Sequence, residues 1–187
     1  MKRGKYMLVI IGPSACGKTQ IVNKLISDFG YKKLVTYTTR PMRLNEKQGI
    51  DYNFITEEKF KEKINNSFFI EYVKYNNNYY GTSYSDLSKD KVVIIEAEGL
   101  KSYLEKARNQ ITVIFIRCSK PIRRIRMIER LDSEENIQKR LNSDDIVFNE
   151  NVQALADYVI DSSNSNVYDC AKLVDSLYKK SVNSDAN

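Results

Sequence analysis

The hydrophobic pattern of the chain predicts strands that alternate with helices. A continuous apolar run, which is typical of a strand buried on both faces, occupies residues 6–11, and further strands are predicted at 91–97, 111–116 and 157–161. Apolar residues recur at helical spacing in residues 18–29, 100–107 and 167–180, and a basic helix is predicted after Pro121. Because strands separated by helices form βαβ units, we predict an α/β fold with a parallel sheet flanked by helices.

Two stretches interrupt this alternation. Residues 34–83 are rich in Tyr, Thr, Asn and Arg, with short strand-like segments and one short helix near 57–64, which predicts an inserted mixed or antiparallel lobe. Residues 130–142 are charged and polar, which predicts an exposed mobile segment within a short lid at 127–142. A chain of 187 residues is expected to form one domain, 1–187. Its core would comprise residues 1–33, 84–126 and 143–187.

Composition excludes several kinds of chemistry. The chain is 42% hydrophobic and 29% charged, and no apolar run approaches the roughly 20 residues that a bilayer requires, so no membrane association is expected. Histidine is absent, which excludes histidine bases and histidine metal ligands. Cys16, Cys118 and Cys170 are widely spaced, which argues against disulfides and zinc and favours a reducing cytoplasm. The net charge of +6 would suit nucleic acid or a small polyanion, and its distribution has to decide between them.

A glycine-rich segment follows the first predicted strand. Residues Gly12, Pro13, Ser14, Ala15, Cys16, Gly17, Lys18 and Thr19 match the pattern G-x-x-x-x-G-K-[ST]. In this motif backbone N–H groups surround a β-phosphate at the positive end of a helix. Lys18 would neutralise the β- and γ-oxygens, and the Thr19 hydroxyl would ligate Mg²⁺. The segment therefore predicts a nucleotide triphosphate site but does not identify the reaction.

The inserted lobe carries a second set of phosphate-binding candidates. Arg40 and Arg43 are three residues apart and joined through Pro41, and two guanidiniums presented from one turn suit a dianionic phosphate. Tyr52 and Tyr80 can each offer a hydroxyl to the same phosphate, although packing is the alternative explanation for any one tyrosine.

Glu71 lies inside the apolar stretch FFIEYV, where an unpaired carboxylate is costly. Guanine presents two adjacent donors, N1–H and the N2 amino group, that can pair with both carboxylate oxygens, whereas adenine presents an acceptor at N1. The alternative is that Glu71 faces solvent on an amphipathic strand.

Six motifs, GPSACGKT, TTRPMR, DYNF, FIEY, YYGTS and DSEENIQKRL, occur in this order over nearly the whole chain, and together they resemble guanylate kinase, a family of P-loop enzymes that phosphorylate GMP. The resemblance implies a P-loop kinase fold with a GMP-binding lobe and lid, with Mg²⁺ as cofactor and ATP and GMP as substrates. It places the GMP phosphate on Arg40, Arg43, Tyr52 and Tyr80. It places guanine among Thr36, Glu71, Thr82 and Glu96. It implies that Arg126, Arg130 and Arg140 are the basic residues that close around the triphosphate of ATP, together with Lys18.

The chain departs from the family pattern at several positions. Ala15 stands where the family has glycine, so the backbone there is expected to do without a positive φ. Cys16 lies near a helix N-terminus, where a lowered thiol pKa would make it sensitive to oxidation or alkylation. Glu96 replaces an aspartate, Glu98 replaces a glutamine and adds a charge, and the lid lacks the family's glycines. These departures leave the family pattern for guanine specificity more complete than the pattern for adenine recognition or lid closure.

Three other functions remain open at this point. One is a related P-loop kinase acting on a ribosyl bisphosphate, which has no guanine edge for Glu71. Another is a binding module without turnover, although such modules generally lose the lysine that Lys18 retains. The third is non-specific RNA binding through the basic helix, but Arg123 and Arg124 are interpreted as a solvated face, so no nucleic acid partner is expected. A monomer or a homodimer is expected.

Overall fold

The computed structural model describes residues 7–75 and 77–184. The strands are β1 (Met7–Ile11), β2 (Lys32–Lys33), β3 (Tyr37–Thr38), β4 (Asn53–Phe54), β5 (Phe69–Tyr75), β6 (Asn78–Ser83), β7 (Lys91–Ile94), β8 (Ile111–Arg117) and β9 (Tyr158–Asp161). The helices are α1 (Lys18–Phe29), α2 (Glu57–Asn65), α3 (Ala97–Ala107), α4 (Lys120–Glu129), α5 (Glu134–Val147), α6 (Glu150–Gln153) and α7 (Val167–Ser184).

The core is a parallel sheet with helices on both faces, as the sequence predicts. Its five strands follow the order β2-β7-β1-β8-β9. Every residue of β1 is fully buried, because alternate side chains enter two different apolar clusters. Leu8 and Ile10 pack against α1 and α7, while Val9 and Ile11 pack towards α3. None of the helices in the described part of the chain has the length and apolar composition that a membrane span requires.

The inserted lobe forms a second, four-stranded sheet in the order β4-β3-β6-β5. The sheet is mixed, because β3 pairs with β4 in parallel and with β6 antiparallel. Phe60 of α2 stacks on Phe69 and Tyr79, with ring centroids 4.4 and 5.3 Å apart, and this aromatic packing fixes the helix on the sheet. The pairing of β5 with β6 places Glu71 opposite Thr82, which brings two candidate site residues together.

Several predicted boundaries are wrong by a few residues. The strand predicted over 91–97 ends at Ile94, and α3 begins at Ala97 rather than residue 100. The helix predicted over 167–180 continues to Ser184. Residue 6 of the first predicted strand lies outside the described residues. These differences arise because backbone hydrogen bonds, and not hydrophobic periodicity, decide where an element ends.

The interpretation of residues 130–142 as an exposed segment is only partly correct. Helix α5 begins at Glu134, after the Ser133 hydroxyl accepts a hydrogen bond from the Asn136 N–H. Ile137 and Leu141 are buried against Met127 of α4. The charged composition of this segment did not indicate an amphipathic helix. Two buried residues four positions apart are nevertheless enough to pack one face of the helix against α4.

Candidate functional site

The glycine-rich loop (residues 12–19) connects β1 to α1 at the carboxyl end of the core sheet, where ligands of open α/β sheets bind. Gly12 has a φ of 147°, and a Cβ there would lie 2.1 Å from the Ile116 carbonyl oxygen. Gly17, with a φ of 94°, precedes the first turn of α1. The loop can therefore pass close to β8 only with glycine at position 12. Its backbone N–H groups lie at the N-terminus of α1, the positive end of the helix dipole.

Lys18 and the basic side of α4 enclose a cavity of about 480 Å³ beside this loop. The Lys18 Nζ donates to the carbonyl oxygens of Gly12 and Pro13 at 2.5 and 2.8 Å, so its charge is held at the mouth of the loop. The residues lining the cavity are Ala15, Gly17, Lys18, Thr19, Gln20, Arg126, Glu129 and Arg130. The structure thus brings four of the eight predicted loop residues, Ala15, Gly17, Lys18 and Thr19, and two predicted arginines to one cavity.

The expectation that Ala15 does without a positive φ is wrong. Its φ is 60°, in the left-handed region, which costs an L-residue about 1–2 kcal/mol. The Ala15 side chain packs against the cluster of Met127, Ile137 and Leu141. Apolar packing on α4 and α5 offsets part of the backbone strain, which explains how alanine is accommodated here.

The loop is also tied to α5 by hydrogen bonds to Asp144, a buried residue that sequence reasoning missed and that forms an ion pair with α4. Asp144 accepts hydrogen bonds from the Ser14 N–H at 2.8 Å and from the Ser14 hydroxyl at 3.3 Å. The same carboxylate accepts from Arg123 of α4 at 3.1 Å. The interpretation of Arg123 as a solvated residue is wrong, since only 4% of it is exposed. Arg124 is paired with Glu134 at the surface.

The three predicted lid arginines occupy different environments. Arg126 donates to the Ala15 carbonyl at 3.3 Å and to the Ser162 carbonyl at 2.8 Å, which fixes it beside the loop. Arg130 lines the same cavity and pairs with Asp132 at 2.8 Å. Arg140 is exposed, lies 4.0 Å from Asp132 and does not line the cavity. The structure therefore brings Arg126 and Arg130 to the loop, but not Arg140.

The candidates for an acceptor phosphate lie on the lobe. Arg40 pairs with Glu46 at 2.6 Å and lies over the rings of Tyr52 and Phe54, at 5.5 and 5.7 Å. The Tyr52 and Tyr80 rings are 6.1 Å apart. Glu46 also accepts from the Arg43 N–H, and these contacts, the Arg40 guanidinium first, lower the pKa of the Glu46 carboxyl. The Arg40 guanidinium is therefore paired with the Glu46 carboxylate of the same chain, at the place where an anionic ligand would bind.

Four residues predicted to surround guanine line one pocket of about 430 Å³, the Glu71 pocket: Thr36, Glu71, Thr82 and Glu96. Glu71 is half-buried, and the Thr82 hydroxyl donates to its Oε1 at 2.8 Å. Burial raises the pKa of the Glu71 carboxyl, while this hydrogen bond and the charge of Lys106 lower it. The alternative that Glu71 simply faces solvent is therefore wrong. Glu98 also lines the pocket.

Cys16 is fully buried and does not have the lowered pKa that its position near a helix N-terminus suggested. Burial raises the pKa of its thiol more than the charge of Lys18 lowers it. We therefore expect iodoacetamide to modify Cys16 on the order of tenfold or more slowly in the native protein than in the unfolded chain, with no effect of ATP.

Mass spectrometry of the alkylated peptide measures this directly. Cys118 and Cys170 are also buried and serve as internal controls. Rapid modification of Cys16 alone, with protection by ATP, would contradict the assignment of a protonated thiol.

Comparison with known proteins gives one consistent family. A family model described as guanylate kinase matches residues 4–180. The chain is 35% identical over 138 residues to guanylate kinase of Legionella pneumophila (strain Paris), covering 70% of this chain and 66% of that protein. It is 31% identical over 179 residues to guanylate kinase of Sulfurimonas denitrificans, covering 89% and 83%. It is 30% identical over 182 residues to that of Prochlorococcus marinus (strain MIT 9312), covering 93% and 97%.

A crystal structure of guanylate kinase from Anaplasma phagocytophilum has the same fold, with a TM-score of 0.64 over 97% of this chain and 88% of that one, at 24% identity. The fold, the matched family model and relatives aligned over most of their length agree. This chain belongs to the guanylate kinase family.

Proposed function

We propose that this protein transfers the γ-phosphoryl group of ATP to GMP, and also to dGMP, to form GDP or dGDP. The observation that carries the proposal is the half-buried Glu71, whose Oε1 is bonded to Thr82. No hydrogen bond to its Oε2 is found among residues 7–75 and 77–184. A carboxylate held in this way can accept from the N1–H and N2 amino groups of guanine, which adenine cannot supply.

The donor side of the reaction is assigned to the glycine-rich loop and the basic face of α4. Its N–H groups would hold the β-phosphate, and Lys18 would move from the Gly12 and Pro13 carbonyls to the phosphate oxygens. Arg126 and Arg130 already line this cavity. Arg140 would join them only if the segment 127–142 closes over ATP, which is the role we assign to the lid.

The acceptor phosphate is assigned to Arg40, Arg43, Tyr52 and Tyr80. Arg40 is paired with Glu46, so an incoming phosphate dianion would replace one carboxylate partner by a more highly charged one. The lobe 34–83 would then close on the core and bring the two phosphates together. Closure also excludes water, which would otherwise hydrolyse ATP.

The chemistry needs little covalent help from the protein. An oxygen of the GMP phosphate attacks the γ-phosphorus, and the bond to the bridging oxygen breaks as ADP leaves. The nucleophile is already an anion and needs no general base, so the absence of histidine does not hinder this reaction. The main barrier is repulsion between polyanions, which the lysine and arginines reduce.

Mg²⁺ is expected to arrive with ATP. Thr19 lies at the start of α1, is exposed and lines the cavity, so its hydroxyl can serve as one ligand. The described residues contain no cluster of three acidic, cysteine or histidine side chains able to hold a metal by themselves. This fits Mg²⁺, which keeps several waters and takes its other ligands from phosphates. When bound, Mg²⁺ would neutralise charge on the β- and γ-phosphates.

All three cysteines are free, which supports the proposal that the enzyme works in a reducing cytoplasm. Retention of Lys18 and Thr19 weighs against a binding module without turnover.

A coupled ADP-release assay tests the proposal with ATP and Mg²⁺ against GMP, dGMP, AMP, UMP and ribosyl bisphosphate. We expect GMP to be the best acceptor, with dGMP weaker and little turnover of AMP. Turnover of ribosyl bisphosphate without GMP would indicate the related kinase, and no turnover with any acceptor would indicate a binding module.

Glu71→Gln is expected to raise the KM for GMP by about 10- to 100-fold, because an amide cannot accept from both guanine donors. The KM for ATP should change less than about twofold, since Glu71 lines the other pocket. Glu105→Gln, at an exposed position of α3, is the matched control. Equal loss of GMP and ATP affinity would show that Glu71 supports folding rather than guanine recognition.

A further inference from the structure

Tyr103 of α3 is fully buried, yet its hydroxyl has no hydrogen-bond partner at standard geometry within the described part of the chain. The ring packs in the apolar cluster beneath the core sheet, where Ala107 and Leu100 of the same helix also lie. Buried tyrosine hydroxyls usually reach a partner, because an unpaired donor in an apolar interior is costly. This hydroxyl therefore needs a structural explanation.

The surroundings of the hydroxyl point to the Glu71 pocket. Gly99 and Ser102 of α3 line that pocket, and Tyr103 is the next residue of the helix. Burial raises the pKa of the Tyr103 hydroxyl; of the polar groups around it, Thr82 lowers this pKa and the charge of Glu71 raises it. Thr82 and Glu71 lie opposite each other on β6 and β5 and line the same pocket as Gly99 and Ser102, so they are the candidate partners of this hydroxyl.

Thr82 is suited to accept from Tyr103. Its hydroxyl carries one proton, and that proton is already donated to Glu71 Oε1 at 2.8 Å. The remaining lone pairs of Thr82 Oγ1 can only accept. Thr82 is 1% exposed, so bulk water cannot supply the donor. The Tyr103 hydroxyl, by contrast, has a proton to donate and needs an acceptor.

We propose that Tyr103 is a positioning residue for guanine recognition, because its hydroxyl donates to Thr82 Oγ1, directs the Thr82 proton to Glu71 Oε1 and so fixes the orientation in which both carboxylate oxygens can accept from the base. A small adjustment of two buried side chains completes this chain of donors. Bonds in such a chain strengthen one another, so Tyr103 would hold Glu71 in its ionised state and in one orientation. The inference rests on the proposed function, since it concerns the pocket assigned to GMP.

The test is Tyr103→Phe, which removes the hydroxyl and keeps the ring. We expect the KM for GMP to rise about three- to tenfold, the effect of one net hydrogen bond, with kcat and the KM for ATP within about twofold. Tyr178→Phe is the matched control, because Tyr178 is also buried and its hydroxyl donates to the Lys89 carbonyl away from the Glu71 pocket. That control should leave the KM for GMP unchanged.

Combining Tyr103→Phe with Thr82→Val separates positioning from packing. If Tyr103 acts through Thr82, its removal in the Thr82→Val background adds less than about twofold to the KM for GMP. An undiminished effect in that background would overturn the relay. Thermal unfolding adds a second measure: loss of a bonded hydroxyl lowers the Tm by about 2–4 °C, whereas loss of an unpaired one raises it.

The pH dependence of the KM for GMP gives a readout that packing alone would not move. Glu71 is faced by Thr82 of β6, Lys106 and Tyr103 of α3, and Glu96 and Glu98 at the pocket wall. Because the ionised carboxylate binds guanine, affinity falls as the pH drops through the pKa of Glu71.

Weakening the Thr82 bond raises the pKa of Glu71 further, so the acid-side rise in KM should move to higher pH in Tyr103→Phe. The GMP phosphate, with a second pKa near about 6, titrates equally in both proteins.

The outcomes separate the two proposals. If the unaltered protein does not phosphorylate GMP, the proposed function fails. If it does, and Tyr103→Phe has the same KM for GMP and the same pH profile, only the role of Tyr103 is overturned.

Discussion

Lys18→Ala is expected to lower kcat by about a thousandfold. Lys18 is the cation that the glycine-rich loop holds at its mouth, 2.5 and 2.8 Å from the Gly12 and Pro13 carbonyls. In the reaction it would neutralise the β- and γ-oxygens, where charge develops as the phosphoryl group moves. Removing one such preorganised group costs about 100- to 1000-fold, and arginines with this role in phosphoryl transfer cost about 1000-fold or more.

Steady-state kinetics with GMP and ATP measure this effect, and circular dichroism checks that the variant is folded. Lys24→Ala is the control on the same helix, because Lys24 is partly exposed and its ion pair in the described structure is with Asp28, away from the loop. Lys18→Arg should not restore activity, since a planar guanidinium does not fit the position of a compact ammonium. More than about a tenth of the original kcat in Lys18→Ala would contradict the role assigned here.

Asp144→Ala is expected to lower the free energy of unfolding by about 3 kcal/mol, because it removes the buried partner of Arg123 and leaves that buried charge only the exposed carboxylate of Asp145. The side chains of Arg123 and Asp144 are only 4% and 10% exposed. The change also releases the Ser14 N–H and hydroxyl, so the folded fraction should bind ATP more weakly. Asp144 therefore contributes both to the stability of the protein and to the conformation of the glycine-rich loop.

Urea unfolding and the KM for ATP test this prediction together. Asp145→Ala is the matched control: Asp145 also pairs with Arg123 but is 45% exposed, so its loss should cost less than about 1 kcal/mol. Asp144→Asn should be intermediate, since an amide oxygen can still accept from the Ser14 N–H. Equal losses for Asp144→Ala and Asp145→Ala would show that burial of the pair is unimportant.

The local pattern of the sequence was enough to predict most of the architecture. Continuous apolar runs predicted β1 and β8, because a strand covered on both faces needs apolar residues at every position. The motif at 12–19 predicted the tight loop, since glycine is the only residue type that fits at position 12, beside the Ile116 carbonyl. The lobe motifs predicted that Glu71 and Thr82 share a pocket, and antiparallel pairing of adjacent strands brings them opposite each other.

Contacts between distant segments were not predictable in this way. Ser14 and Asp144 are 130 residues apart, and nothing in either neighbourhood identifies the other. Arg123 and Arg124 are adjacent on one basic helix, yet one is buried and the other pairs at the surface. Which face of α4 meets α5 decides this, and a helix with charges on several faces does not reveal that choice.

The sequence by itself determined the α/β core and the phosphate-binding motif, because these follow from periodicity and from short-range chemistry. The full set of GMP-site candidates came from the resemblance of its motifs to guanylate kinase. The tertiary structure alone decided the positive φ of Ala15, the raised pKa of Cys16 and the burial of Asp144 and Tyr103. The physical reason is that packing between segments far apart in the chain sets desolvation and hydrogen-bond partners.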